Sequence, residues 1–442
     1  MTRALLLLLI SAFFSLPATS TAMSPEEPAS LSGRWIVTAD FYGSIRYFRL
    51  HLNQKGSKLT GSWNGIPLEG TVEGKRAHLL ATDKEGGTTD VNGDIENGAL
   101  AGTVALKDPQ DQPQEATSFH FTAAFLPPLQ RGPAKRHEFI PTVFYRQFSP
   151  WNKPVLKVSP GDTIHTTTVD AGGRDEKGVR RVAGGNPETG LFYIEGAMPG
   201  DTLVVHLTRL RLNRDFAGSD DGIVESGLNS NLAVMMKDNG KSIRWKLDRT
   251  HGVASPANPG KHLANFTVPL RPMLGCVAVA PGPAGAPPPT GDSGFWGGNM
   301  DFNEITEGAT LYLPVLNPGA LLYLGDGHAL QGDGEINGNA LETSMDVEFT
   351  VDLIQEKRTP SVRVETANAI IAMGLQGSLD DAFREATSNM SQWLAEDYKL
   401  TPSEIAQVIG TTAEYKISEV ADRNSGIVLK ISKERLKTLV AE

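Results

Sequence analysis

The stretch GDGHALQGDGE, residues 325–335, carries Asp326, His328, Asp333 and Glu335 among four glycines. Glycine and aspartate alone would satisfy a surface turn, but a turn does not need a histidine between acids. Imidazole and carboxylate groups on glycine-supported backbone are the materials of a divalent-metal or acid/base site. In an extended chain side chains alternate, so Asp326 and His328 point to one side and could chelate one ion. Two further clusters offer the same chemistry. GDTIHTTTVDAGG contains His165 and Asp170, and GGNMDFNE contains Asn299, Asp301 and Glu304. His165 and Asp170 are an odd number apart, so they share a site only if the chain turns between them. NALETSMD extends the opening stretch to Glu342. The alternative for all three is that the acids cap loops and the histidines are ordinary surface groups.

Two other residues invite a nucleophile reading. Ser293 in GDSGF matches the nucleophile motif of chymotrypsin-like proteases, but the sequence that surrounds the histidine base of such enzymes is missing. Cys276, in RPMLGCVAVAP, is flanked by apolar residues and is expected to be a buried small hydrophobe, since its flanks offer no thiolate-stabilising charge beyond Arg271.

The elements that must position these groups are read from the rest of the chain. At 442 residues it is long enough for two or three domains. The 41 basic and 51 acidic residues give a formal charge of −10 without long runs of one sign, which argues against nucleic-acid binding. The 46 glycines and 28 prolines point to many turns between short strands. MTRALLLLLISAFFSLPATSTA reads as a secretory leader, residues 1–22, cleaved after Ala22. The expectation is an exported chain, periplasmic or secreted, with no membrane segment after cleavage; its single cysteine allows no internal disulfide. A homo-oligomer is compatible with the sequence, which does not set the state.

Residues 31–125 alternate apolar and polar positions, and LTGSW, LEGTV and LAGTV, from Leu59, Leu68 and Leu100, form a weak repeat. This predicts a small antiparallel β-barrel or sandwich. A proline- and charge-rich segment, 126–138, reads as a linker. Beyond it, DTLVVHLTRLRL, ATLYLPVL, ALLYLG and VEFTVDLI read as strands, and the stretch 282–298 as irregular. Helices are expected near the C-terminus. One is capped by Ser378 with Asp381 and carries Leu379, Ala382, Phe383, Ala386, Met390, Trp393 and Leu394 on one face, Trp393 as core. A second starts at Thr401, Pro402 and Glu404. The fold class is mainly β, with C-terminal helices.

NPETGLFYIEGAMPGDTLVVHL, RPMLGCVAVAP, GGNMDFNEITEGATLYLPV and GALLYLGDGHALQGDGEING, in that order, resemble consecutive blocks of the acetamidase/formamidase family, and TTAEYKISEVADRNSGIVLKISKERL resembles its C-terminal segment. The resemblance spans roughly 139–437 and makes 139–442 a β-rich catalytic domain behind an added N-terminal β-domain. It departs from the family where many relatives carry a histidine before GGN; Trp296 and Gly297 stand here. The resemblance implies hydrolysis of a small linear amide to carboxylate and ammonia, and points to Asp170, Asn299, Asp301, Asp326, His328 and Glu335. The expected mechanism is metal-assisted. Asp170, Asp326 and His328, with His165 or Asp301, hold the ion, Glu335 is the base, and Gly298 and Asn299 meet the substrate. Mixed oxygen and nitrogen ligands favour zinc, whereas a carboxylate-dominated set would suit calcium or magnesium. The competing reading is a secreted ligand-binding protein with a structural ion and no amidase activity.

Overall fold

Strict alternation makes the strand Arg76–Thr82 a two-faced ribbon, with Ala77, Leu79 and Ala81 buried and the residues between them exposed. Eight such strands, from Gly33–Phe41 to Thr117–Leu126, each pair antiparallel with the next, and the first pairs with the last, so the sheet closes into a barrel rather than a sandwich. Leu50, Leu52, Leu59, Leu68, Leu79, Leu100 and Phe121 fill its interior, as expected for a barrel of this strand number. The repeat has a packing cause. Its leucines point inward, and Gly102, two residues after Leu100, lies where any Cβ would overlap the backbone carbonyl of Asn92.

The structure, a computed structural model, describes residues 30–96, 98–110, 117–236 and 241–439, so the expected leader lies outside the described residues. Among the described residues no helix is long and apolar enough to cross a membrane. After the barrel the chain builds a 12-stranded and a 9-stranded sheet, whose inner faces share one large apolar core that includes Leu203, Val205, Leu311, Phe349 and Ile371. The segment expected to be a linker ends in a strand, Arg136–Glu138, which pairs in parallel with Thr163–His165. Proline and charge around it hid that strand from a pattern reading. The barrel is fastened by Arg49, whose guanidinium meets the fully buried Asp201 carboxylate at 2.6 Å and the Pro199 carbonyl at 2.7 Å.

The region 282–298 is irregular only as far as Asp292; Ser293–Gly294 and Gly297–Asn299 then pair as a minimal hairpin. The first C-terminal helix runs Leu379–Tyr398 with the Ser378 side chain accepting from the Asp381 amide, and the second, Pro402–Thr412, has a complete Thr401–Glu404 capping box. Ala382, Ala386, Met390, Trp393 and Leu394 are buried as expected. Phe383 is 44% exposed instead, because it stacks on Tyr415 at the surface, ring centroids 4.7 Å apart. Past the helices, Glu414–Glu419 and Ser425–Ser432 return to the nine-stranded sheet, and the turn between them reaches the acid cluster described next.

Candidate functional site

Strand register assembles the site. The strand Leu322–His328 is buried at every position, so the opening half of GDGHALQGDGE is a core strand and not a turn. On one edge it pairs with Met273–Val279, which sets Gly325 opposite Cys276 and His328 opposite Met273. On the other edge Leu324 pairs with Thr189 and His328 with Glu342. Cys276 in turn lies opposite Asn299 across the sheet. Three distant segments therefore deliver Glu188, Glu342, Asn299 and Asp301 to the neighbourhood of Asp326 and His328. Gly275 is required there, since a Cβ would overlap both the Asp301 and the Asp326 carboxylates.

Gln331 fixes the state of His328. Its amide nitrogen donates to the carbonyls of Asp301 and Ser418, which turns its oxygen to His328 Nδ1 at 2.9 Å. Nδ1 therefore carries hydrogen, and the lone pair falls on Nε2. That nitrogen, fully buried, looks at Glu342 Oε1 at 3.1 Å, Asp326 Oδ2 at 3.3 Å and Asp301 Oδ1 at 3.8 Å. A lone pair facing three carboxylate oxygens is repulsive unless a proton or a cation lies between them. Without a cation the imidazole takes the proton: burial opposes its charge, but the Glu342 and Asp326 carboxylates raise its pKa well above the ordinary value.

Among the described residues the surrounding acids have no lysine or arginine partner. Burial, then neighbouring negative charge, raises the Asp301 and Glu188 carboxyls well above the carboxylate range. Burial likewise pushes Glu335 up to about 7, Glu342 to about 8, Glu419 to about 9 and Asp422 to about 6. Asp301 Oδ1, Asp326 Oδ1, Glu342 Oε2 and Glu419 Oε1 are buried with no hydrogen-bond partner among the described residues, a costly arrangement for protein alone. Three overlapping sets have ligand atoms within 4.8 Å of one another: Asp301, Asp326 and His328; His328, Glu335 and Glu342; and Asp301, Glu419 and Asp422. Asp301, Asp326 and Glu335 sit at positive φ of 40°, 52° and 47°, a conformation that side-chain-bearing residues adopt only where surroundings impose it. Asp422 is exposed and marks where the cluster meets solvent.

The structure thus brings together Asp301, Asp326, His328 and Glu335, and draws two expected ligands away. His165 is held between Glu138 and Asp346, with Nε2 3.0 Å from the latter, as the strand parity argument allows. Asp170 pairs with the buried Arg214 at 2.6 Å and accepts from the Arg174 amide at 2.9 Å. Neither belongs to any of the three sets. Asp170→Ala is accordingly expected to cost about 3–5 kcal/mol of stability, because it strands the Arg214 charge, while metal content per folded molecule stays unchanged; urea unfolding and metal analysis check this, and metal loss without destabilisation would restore Asp170 as a ligand.

Gly298 packs on the backbone of Asp292 and Ser293. Asn299 spends its amide nitrogen on Asp301 Oδ2 and Asp422 Oδ2, both at 2.6 Å, and accepts from Asn186 at 3.1 Å. Glu304 is tied to Lys430 at 2.8 Å, and Asp333 accepts from Asn303 at 2.7 Å. Cys276 is fully buried, but its neighbours are not all apolar: burial and then the Glu188 and Asp326 carboxylates raise its thiol well above the ordinary value, so it stays a thiol. Ser293 Oγ has no hydrogen-bond partner, hence no base, among the described residues. Trp296, directly before GGN, packs against the apolar cluster of Phe148, Leu191 and Tyr323. Sequence reasoning missed Glu188, Glu419 and Asp422. The one signal for the last pair was acids three apart around the turn EVADRN.

A model of the acetamidase/formamidase family matches residues 290–413, which hold Asn299, Asp301, Asp326, His328, Glu335 and Glu342. An acetamidase from Mycolicibacterium smegmatis is 45% identical over 60 residues, 13% of this chain and 15% of that protein, so the chain matches only a small part of that relative's length. Solved structures are covered more fully. A predicted acetamidase/formamidase from the thermophile Thermoanaerobacter tengcongensis aligns with TM-score 0.59 and 28% identity over 69% of this chain and 98% of its own. An acetamidase from Yersinia enterocolitica gives TM-score 0.59 and 26% identity over 69% and 94%. Residues 290–413 resemble the acetamidase/formamidase family in sequence, and about two thirds of the chain resembles such a protein in fold.

Proposed function

We propose that the chain is a hydrolase of carbon–nitrogen bonds that cleaves a small linear amide, of the acetamide or formamide kind, to carboxylate and ammonia with the help of a divalent ion. The observation that carries this reading is the Nε2 of His328 aimed at three carboxylate oxygens in a fully buried setting. Asp301, Asp326, His328 and Glu342 would hold the ion, and the imidazole among them suits zinc. Bound there, a divalent ion supplies Lewis acidity toward the amide carbonyl and makes water a nucleophile near neutral pH.

The chain's own groups do the rest. Glu335 has one oxygen engaged by the Ala340 amide at 2.9 Å; its other oxygen takes a proton from the attacking water and returns it to the leaving nitrogen. Asn299 bridges Asp301 and Asp422 through its amide nitrogen, and the burial of the cluster excludes bulk water and bulky substrates. The leader-like residues 1–22 support export as part of the same reading. The rival, a secreted binding protein with a structural ion, shares the metal but not the chemistry. Ammonia release from acetamide and formamide by the purified chain separates them: turnover supports the amidase, and bound metal with no release of ammonia from either amide supports the binding protein.

A further inference from the structure

The barrel's own interior is packed with leucine, valine and phenylalanine side chains. What the barrel adds is a wall. Between it and the second domain lies a cavity of about 780 Å³, within the range of small-molecule sites, lined on one side by Arg46, Tyr47 and Arg49 and on the other by Phe295, Glu356 and Arg358. None of its lining residues belongs to the acid cluster. Its charges are unevenly matched. Arg49 is neutralised by Asp201 at 2.6 Å, and Glu356 is shared by Arg34 at 3.1 Å and His51 at 3.5 Å. Arg358 has no acid partner or hydrogen bond among the described residues; its guanidinium lies over the Phe295 ring, 5.9 Å from the centroid. Arg46 likewise has only a ring, Phe41, at 5.4 Å. Both arginines stand exposed on the walls of the cleft, whereas burial raises the pKa of the half-buried Tyr47, whose hydroxyl has no hydrogen-bond partner among the described residues.

We infer that this interdomain cleft is a second binding site, for a small organic carboxylate with an apolar body: the anion is taken by Arg358 and Arg46, and the body lies against Phe295 and Tyr47. A guanidinium on an aromatic face is a common carboxylate receptor because its fork remains free to donate two parallel hydrogen bonds. The site is independent of the amidase reading. Isothermal titration of the full chain with phenylacetate, and with the uncharged 2-phenylethanol, tests it. The expected result is saturable one-to-one binding of phenylacetate that weakens with salt, at least about tenfold weaker binding of the alcohol, and a loss of about tenfold or more in both Arg358→Ala and Arg358→Gln. Melting curves of the two variants establish that they are folded, and Arg46→Ala, at a mostly exposed position, is an independent arm with the same expected direction. No saturable binding to the native chain, or unchanged affinity in folded Arg358 and Arg46 variants, overturns the proposal.

Discussion

Asp326→Asn is expected to weaken metal binding and amide turnover together, each by on the order of 100-fold, while leaving the metal-free protein at least as stable as the native chain. Asparagine keeps the shape of the side chain and tolerates the positive φ of 52° at this position. What it removes is a negative charge that raises the carboxyls of Glu188, Asp301, Glu335 and Glu342. Relief of that repulsion offsets the lost attraction to His328, which keeps Glu342 at 3.1 Å. The loss should show in the metal-dependent part of stability. At a free-ion concentration of 100 times the native dissociation constant, binding adds about 2.7 kcal/mol, and a 100-fold weaker site adds about 0.4 kcal/mol. Chemical denaturation with and without zinc measures both quantities. A variant that unfolds early without metal and still gains the full increment would mean that Asp326 is a structural acid.

Glu335→Gln should fail differently. The amide retains the acceptor that meets the Ala340 N–H, so the turn keeps its shape, and three carboxylates remain around His328 to hold the ion. Without the carboxylate no group at this position takes the proton from water, and turnover should fall by about 100-fold or more with metal content near native. Steady-state ammonia release and metal analysis on the same preparation report the two effects. Turnover within a few-fold of native would remove Glu335 from the reaction.

How much of this was legible in the sequence depends on distance along the chain. Period-two alternation and the Leu-x-Gly repeat are local, and so the barrel was readable before its closure was seen. Caps are local too, and Ser378 and Thr401 start their helices as expected. The pairing of Asp326 with His328 follows from two-residue spacing, and their side chains meet at 3.3 Å. Composition could not foresee that GDGH is a central strand, because Gly325 admits the Glu188 carboxylate and Gly327 the Met345 side chain rather than making a turn. Nor could it rank acids against each other. Asp170 looks like a ligand until Arg214, 44 positions away, claims it. Glu419 and Asp422 look like turn residues until the C-terminal hairpin folds over Asn299, 123 positions from Asp422. Such choices are made by long-range register, which no window of sequence contains.

The central claim is that the buried imidazole and its carboxylates work as a metal-dependent amide hydrolase. Zinc titrated into chelator-treated protein, with ammonia release from acetamide and formamide followed at each addition, tests it most directly. The account predicts negligible release from the metal-free chain and turnover that rises with bound ion and saturates with it. Full turnover by protein stripped of metal, or a site that fills with zinc and hydrolyses neither amide, would contradict it.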